Sequence, residues 1–416
     1  MKNYSPWLQQ LAFKRQLQRL KGDRNVDYMV IGGGIAGIST AYFILKNTKA
    51  SVILLEADKI AHGATGHNAG QVTSYFERPF VELVEEFGLE MAAQGQSDIE
   101  SACLLLEQIL SDTGIPAPLY QFTGYAGYSA IDQLLLRFEE ESLREKSGIL
   151  RPHDFLVVND PLVLLRIPNE FDHLYKIVSR NDINELLETD NHSYIALKAS
   201  RKGCLNSALF CEQLIEWLEK KYFDRFNVFE QSPVNILRLG SERNIAECDM
   251  GKVTASYSVL CTNGFERIKI HNESGLDING RFHDMIFGTV GYMVGYLSDE
   301  NRPPTARSYF QSNHITRLDP YFYLTRRPGG EGKTARNLIC IGGPEIDLEE
   351  KQLYSRLSHS FPAEAMHSID SFMKNNYRGY PTAFDFDFFW HGLMGYTKNG
   401  VRLIGYEPCN QRLLYN

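Results

Sequence analysis

From Val26 onward the apolar residues fall into a regular pattern. The run "VDYMVI" (26–31) is short, apolar and followed by glycines, as buried parallel strands are. "GIAGISTAYFILKNT" (34–48) then carries helical spacing, and "SVILLE" (51–56) is a second buried strand. Strand, glycine turn, helix and strand within about 30 residues make a βαβ unit. Residues 81–150 read as mainly helical, with apolar positions three and four apart through "VELVEEFGLEMAAQGQSDIESACLLLEQIL". "LNSALFCEQLIEWLEKKY" (205–222) reads as another amphipathic helix, and "FNVFEQSPVNILRL" and "KVTASYSVLCTNGF" read as strands. Between about 285 and 345 the pattern turns alternating and aromatic ("GTVGYMVGYL", "YFYLTRR", "NLICIGG"), which fits an antiparallel sheet with one face inward. There is no internal repeat and no low-complexity linker, so the dinucleotide-binding and antiparallel patterns interleave.

Composition narrows the function classes. A chain of 416 residues holds one large domain or two interleaved ones, each with a full core. The net charge of −8 works against a nucleic-acid surface, because phosphate binding rests on clustered Lys and Arg. The cysteines are odd in number, scattered and without a C-x-x-C pair, which reads as reduced thiols in a cytoplasmic protein. No His or Cys spacing suggests a metal site. No apolar run approaches the roughly 20 residues of a membrane span. Residues 1–25 form an N-terminal extension in which Trp7, Leu8, Leu11, Leu17 and Leu20 can line one side of a helix. That helix is expected as a lid on the fold, with peripheral docking to a membrane surface as the alternative.

Gly32, Gly34 and Gly37 within "GGGIAG" form G-x-G-x-x-G between a strand and a helix. The glycines permit a tight turn and close approach of backbone to a diphosphate, while the helix start at Ile35 and Ala36 offers free N–H groups. Glu56 ends the next strand 24 residues after Gly32, followed by Ala57. An acid there accepts hydrogen bonds from ribose hydroxyls and repels a 2′-phosphate, favouring FAD or NAD over NADP. A second small-residue loop follows: Gly63, Ala64, Thr65, Gly66, His67, Asn68, Ala69, Gly70 and Gln71. Its amides and side chains can donate hydrogen bonds to a ligand passing back across the diphosphate. A dehydrogenase borrowing a soluble nicotinamide cofactor has no evident need of it.

Together "VIGGGIAG", Glu56 and "GATGHNAGQV" resemble the D-amino-acid oxidase family of FAD enzymes. Later stretches resemble that family in order: "GCLNSALFCEQLIEWLEKK" (with Ser207 where Pro is usual), "VLCTNGF", "FYLTRRPGG…LICIGG" and "WHGLMGYTKNGVRLIG". The resemblance implies an α/β fold: a discontinuous FAD-binding Rossmann-like domain (26–80, 200–267, 386–416) with an inserted α+β substrate domain (81–199, 268–385) containing an antiparallel sheet. It adds Val234, Thr262, Asn263, Gly264, Gly392 and Gly400 to the residues expected around the flavin. His67 stands where one branch of the family attaches its flavin covalently; a non-covalent histidine is the other reading. Departures are Lys398-Asn399 where an Asp precedes the glycine, and Arg402 in place of Pro. The chain also ends at "RLLYN" where the family continues with a glycine-rich segment and a helix; a truncated chain, or a site completed another way, is the expectation.

Strand alternation puts Tyr321, Tyr323, Thr325 and Arg327 on one face of "YFYLTRR", with Phe322, Leu324 and Arg326 on the other. By resemblance Arg327 falls where the family places the arginine that grips a substrate carboxylate, a task suited to a planar guanidinium. Arg326 is its rival, Tyr323 a neighbour, and His391 a pocket residue because it follows Trp390. The implied function is oxidation of a small-molecule amino acid or secondary amine to an imine that water hydrolyses. Three alternatives stay open: an NAD-dependent dehydrogenase, a catalytically impaired flavin-binding scaffold, and a dehydrogenase module feeding a larger complex or quinone pool.

Overall fold

The protein is described by a computed structural model covering residues 3–11, 15–264, 268–300, 302–311, 321–329, 336–348, 360–380 and 386–416. The first apolar run becomes the strand Arg24–Ile31, flanked in parallel by Val52–Leu55 and Gly251–Leu260, with Phe226–Phe229 beyond Val52–Leu55. Apolar on both faces, this sheet is covered on one side by the helices Ile35–Asn47 and Ser207–Lys221 through Ile38, Leu45, Leu214 and Leu218. Met29, Ile53, Leu237 and Val253 fill the opposite side. Gly251–Leu260 is shared. Its first half pairs with antiparallel Asn244–Cys248, and its last residues, Ser258 to Leu260, pair in parallel with Leu413 to Tyr415.

The second sheet runs in the order Phe388–Thr397, Ile286–Ser298, Asn337–Asp347, Tyr321–Pro328, Thr305–Phe310, Tyr120–Tyr128, Ala196–Cys204, Asp154–Val158 and Tyr175–Val178. Gln71–Val72 also pairs with Ala196–Cys204, so the second glycine-rich loop leads straight into this sheet. The helix Ala363–Asn376 packs on the outer face, where Phe322 stacks on Phe372 with ring centroids 4.1 Å apart. Alternation along Tyr321–Pro328 is as expected. No helix among the described residues is long and apolar enough to cross a membrane.

Residues 81–150 are mainly helical, as expected, but one strand interrupts them. Between the helices Leu89–Thr113 and Ile131–Ser147 lies the strand Tyr120–Tyr128, whose glycine- and aromatic-rich sequence pairs along nine residues of Ala196–Cys204. Phe388–Thr397 pairs with Ile286–Ser298 in the second sheet, while Lys269–Asn272 pairs with Val234–Leu239 in the first. Among the described residues of the N-terminal extension the helix is Pro6–Gln9, and Leu17 and Leu20 lie outside any helix. Trp7 and Leu20 are buried in the two cores, so these parts of the segment pack on the fold.

One charged cluster ties the second sheet together. Glu188, the left-handed residue ending the helix Arg180–Leu187 (φ 51°), takes Arg326 at 2.6 and 2.8 Å and Arg307 at 2.9 Å. Burial pushes its carboxyl up, but the Arg326 hydrogen bonds and the Arg307 charge outweigh this and hold it below the ordinary glutamate value. Replacing Glu188 with Ala strands buried guanidinium groups and should cost about 3 kcal/mol. A folded pKa below the unfolded one stabilises above the glutamate range and loses that contribution as pH falls through it. Urea unfolding should therefore show a wild-type to Glu188→Ala gap at neutral pH that narrows in acid.

Candidate functional site

Both glycine-rich loops meet at the carboxyl end of the central strand. Gly32 adopts φ +113°, and a Cβ there would lie 2.3 Å from the Cys261 carbonyl oxygen. A Cβ on Gly37 would lie 1.9 Å from the Gly32 oxygen, so the helix Ile35–Asn47 can sit this close only without a side chain. Gly34 caps that helix in extended conformation and, having no side chain, makes no cap bond of its own. The Gly33 N–H donates to Glu56 Oε2 at 2.7 Å and the Asp58 N–H to Glu56 Oε1 at 2.8 Å, which fixes the acid beside the turn. Ile35 is 36% exposed at the rim, and Ala57 is exposed beside Glu56. A glycine cradle, a helix start behind a capping residue without a side chain and a fixed strand-end carboxylate fit the diphosphate and ribose of a dinucleotide.

Thr65 joins the two loops: its Oγ1 accepts from the Ile35 N–H at 3.0 Å. Ser207, in place of the usual proline, donates to the Thr65 carbonyl at 2.6 Å and accepts from Asn68 Nδ2 at 3.0 Å. Asn68 also accepts from the Gly70 N–H at 2.7 Å, holding Gly70 at φ +67°. The Asn68 carbonyl receives two indole donors, Trp7 Nε1 at 2.6 Å and Trp390 Nε1 at 3.2 Å. His67 is buried, with Nδ1 2.9 Å from the Gly63 carbonyl. Gly392 slides under this loop, since a Cβ there would lie 2.2 Å from the His67 oxygen. Gln71 Nε2 reaches the Leu324 carbonyl at 3.4 Å. Asn263, at φ 63°, bonds Leu393 and Gly395 on the same strand as Gly392, next to Thr262 and Gly264. Val234 opens its strand, buried in the first-sheet core, and Gly400 turns against Arg78.

The residues expected to grip substrate are arranged differently. Arg326 is saturated by Glu188, Tyr377 and the Pro303 carbonyl on the outer face, so it holds the fold together and cannot also clamp a ligand. Arg327 does point inward, but Trp7 and Gln10 close it off: its guanidinium lies 4.8 Å from the Trp7 ring centre and donates to Gln10 Oε1. Burial lowers its pKa, and Nε has no hydrogen-bond partner among the described residues. His391 faces away from the loops, 5.8 Å from the Tyr292 ring, because alternation gives the loop-facing side to Trp390 and Gly392. Tyr323 lies across Gly342, and burial pushes its phenol well above the ordinary tyrosine value.

A cavity of about 1550 Å³ opens where the second loop ends, at Val72 to Tyr75, and extends over the inner face of the second sheet. Tyr321, Tyr396, Phe287 and Glu345 line its near end. Tyr75 and Tyr321 hydrogen-bond each other, and the Tyr75 phenol together with burial pushes the Tyr321 hydroxyl well up. The far wall carries Lys198, Lys202 and Ser308, none singled out from sequence. The signal was the polar alternation Lys198-x-Ser200-x-Lys202, legible only once 196–204 is known to be a strand. Because overpacking of this kind costs about 1–3 kcal/mol, Gly392→Ala should weaken FAD retention by about tenfold or more. Flavin fluorescence released on dilution of the purified variant measures it.

A family profile described as FAD dependent oxidoreductase matches residues 27–416. Over 84 residues the chain is 32% identical to Gamma-glutamylputrescine oxidoreductase of Escherichia coli (strain K12), a stretch spanning 20% of each protein. Over 73 residues it is 38% identical to Putative Rieske 2Fe-2S iron-sulfur protein YhfW of Bacillus subtilis (strain 168), spanning 18% of this chain and 14% of that one. The matched stretches thus span a fifth or less of those curated relatives. Among solved structures, glycine oxidase from Geobacillus kaustophilus superposes with a TM-score of 0.63 at 13% identity, covering 94% of this chain and 88% of that one. L-amino acid deaminase from Proteus vulgaris gives 0.62 at 11% identity, covering 97% and 91%. At these identities the likeness is one of fold. With the profile spanning both glycine-rich loops and both sheets, the chain belongs to the FAD-dependent oxidoreductase family, and its cofactor is FAD.

Proposed function

We propose that the protein oxidises the C–N bond of an amino acid or secondary amine. The observation that carries this reading is the cavity opening directly past the second loop, walled by tyrosines on the sheet that faces the cofactor loops. When bound, FAD supplies the two-electron oxidation that turns the amine into an imine, which water then hydrolyses. Glu56, Thr65 and the backbone at Gly33 to Ala36 would hold its ribose and diphosphate, and the 66–71 loop would hold the rest. The chain's own contribution is position and dryness. Phenols as buried as Tyr321 and Tyr323 stay protonated, and an ammonium brought beside them is driven toward the neutral amine that oxidation needs. This arrangement requires no dedicated acid–base pair.

The family match favours this reading over a nicotinamide dehydrogenase, and the open cavity favours it over a scaffold without turnover. Anaerobic mixing with a panel of amines and amino acids should bleach the flavin's visible band with at least one of them. A yellow protein that none of them bleaches contradicts catalysis. His67 is read as a non-covalent contact, its ring buried under the loop with Nδ1 2.9 Å from the Gly63 carbonyl. Acid precipitation should release all the colour into the supernatant; a coloured pellet would establish a covalent bond instead.

A further inference from the structure

Away from the second loop the cavity continues across the strands Thr305–Phe310, Tyr120–Tyr128 and Ala196–Cys204. Three arginines that line it there are matched by carboxylates: Arg137 by Glu140 at 2.6 Å, Arg144 by Glu100 at 2.9 Å, Arg201 by Glu107 at 2.7 Å; a fourth, Arg151, is exposed. Two half-buried lysines have no such match. Lys198 and Lys202 stand on one face of Ala196–Cys204, and neither forms an ion pair with a described residue. Lys198 lies in the field of Glu140 and Glu141, but Arg137, Arg144 and His153 already occupy those carboxylates. The charge acting on Lys202 is that of Lys198, and its polar contact is the buried Ser308 hydroxyl at 3.4 Å.

The path of Lys202 is built into the sheet. Its methylenes cross the neighbouring strand at Gly124, where a Cβ would lie 2.5 Å from Lys202 Cδ. The missing side chain lets the lysine span Tyr120–Tyr128 and bring its ammonium to Ser308 on the next strand. Burial pushes the Lys202 pKa down to about 8, so it is still mostly charged at neutral pH. A cation kept in a cavity without a counter-ion weakens the fold, and such groups mark places where a ligand supplies the missing charge.

We propose that Lys202, with the Ser308 hydroxyl and the Lys198 ammonium beside it, forms a subsite for a carboxylate. The amine that the enzyme oxidises then belongs to a molecule bearing a second, distal acid group, since Ser308 sits three intervening strands away from Tyr396. The substrate assignment rests on the amine-oxidation reading; the anion site does not. Calorimetric titration of the flavin-loaded protein with glutarate and with glutaramide separates the two. Wild type should bind glutarate at least tenfold more tightly, Lys202→Met should abolish that preference, and Lys198→Met should reduce it. Equal binding of both probes by wild type, or a preference that survives Lys202→Met, overturns the proposal. Lys202→Met should also raise the thermal midpoint, because it removes an uncompensated charge; a lowered midpoint would make Lys202 a residue of the fold and overturn it too. Among amines that reduce the flavin, a distal carboxylate should lower KM relative to the matching carboxamide and leave kcat unchanged. If no amine reduces the flavin while the glutarate preference holds, the oxidation reading falls and the anion site stands.

Discussion

The structure depends on one backbone carbonyl. Asn68 O receives the indole N–H of Trp7 from the N-terminal segment and that of Trp390 from the second sheet. Both tryptophans are fully buried, so these bonds form away from water, where an unmade one would cost the full desolvation of its donor. Through them the small-residue loop is fixed between the two sheets, inside a core to which both contribute, Val30 and Val52 from the first and Met293 and Leu338 from the second. Gly392 beneath His67 and Gly70 against the Trp7 ring let the three segments close to backbone contact. Cofactor loop, N-terminal strap and substrate sheet therefore form one packed unit.

That closure also explains how the charges are distributed. Arg327 is inward-facing and buried, yet its neighbours are the neutral Trp7 and Gln10, while Arg326 is spent on Glu188. Lys198 and Lys202 face open volume farther along the same inner face of the sheet. The proposed carboxylate subsite would accordingly stand apart from the arginine position that the family resemblance suggests.

The cofactor half was largely legible in the sequence because its signals are local. Gly32, Gly37 and Glu56 lie within one βαβ unit, and glycine has no substitute where a Cβ would meet a carbonyl oxygen at about 2 Å. The alternation along Tyr321–Pro328 and the antiparallel region followed from period, while the fold class came with the family resemblance. What escaped depends on distant pairing. The strand Tyr120–Tyr128 lies between strongly helical segments, and its strand character comes from partners at 196–204 and 307–310. Glu188 gives no sign in sequence that it will take Arg326 out of the site, nor Trp7 that it will cover Arg327. The N-terminal apolar spacing looked helical, whereas Trp7 and Leu20 are buried in different cores and Leu20 lies outside any helix.

The central claim is that the grip on FAD is inseparable from the packing around Asn68. Trp7 and Trp390 are two of the chain's three tryptophans, so indole emission reports on this junction directly. Guanidinium titration of the flavin-loaded protein, following flavin release and the red shift of tryptophan emission in the same samples, tests it. The account predicts that the two transitions coincide. Flavin leaving at clearly lower denaturant, with the tryptophan signal still native, would contradict it.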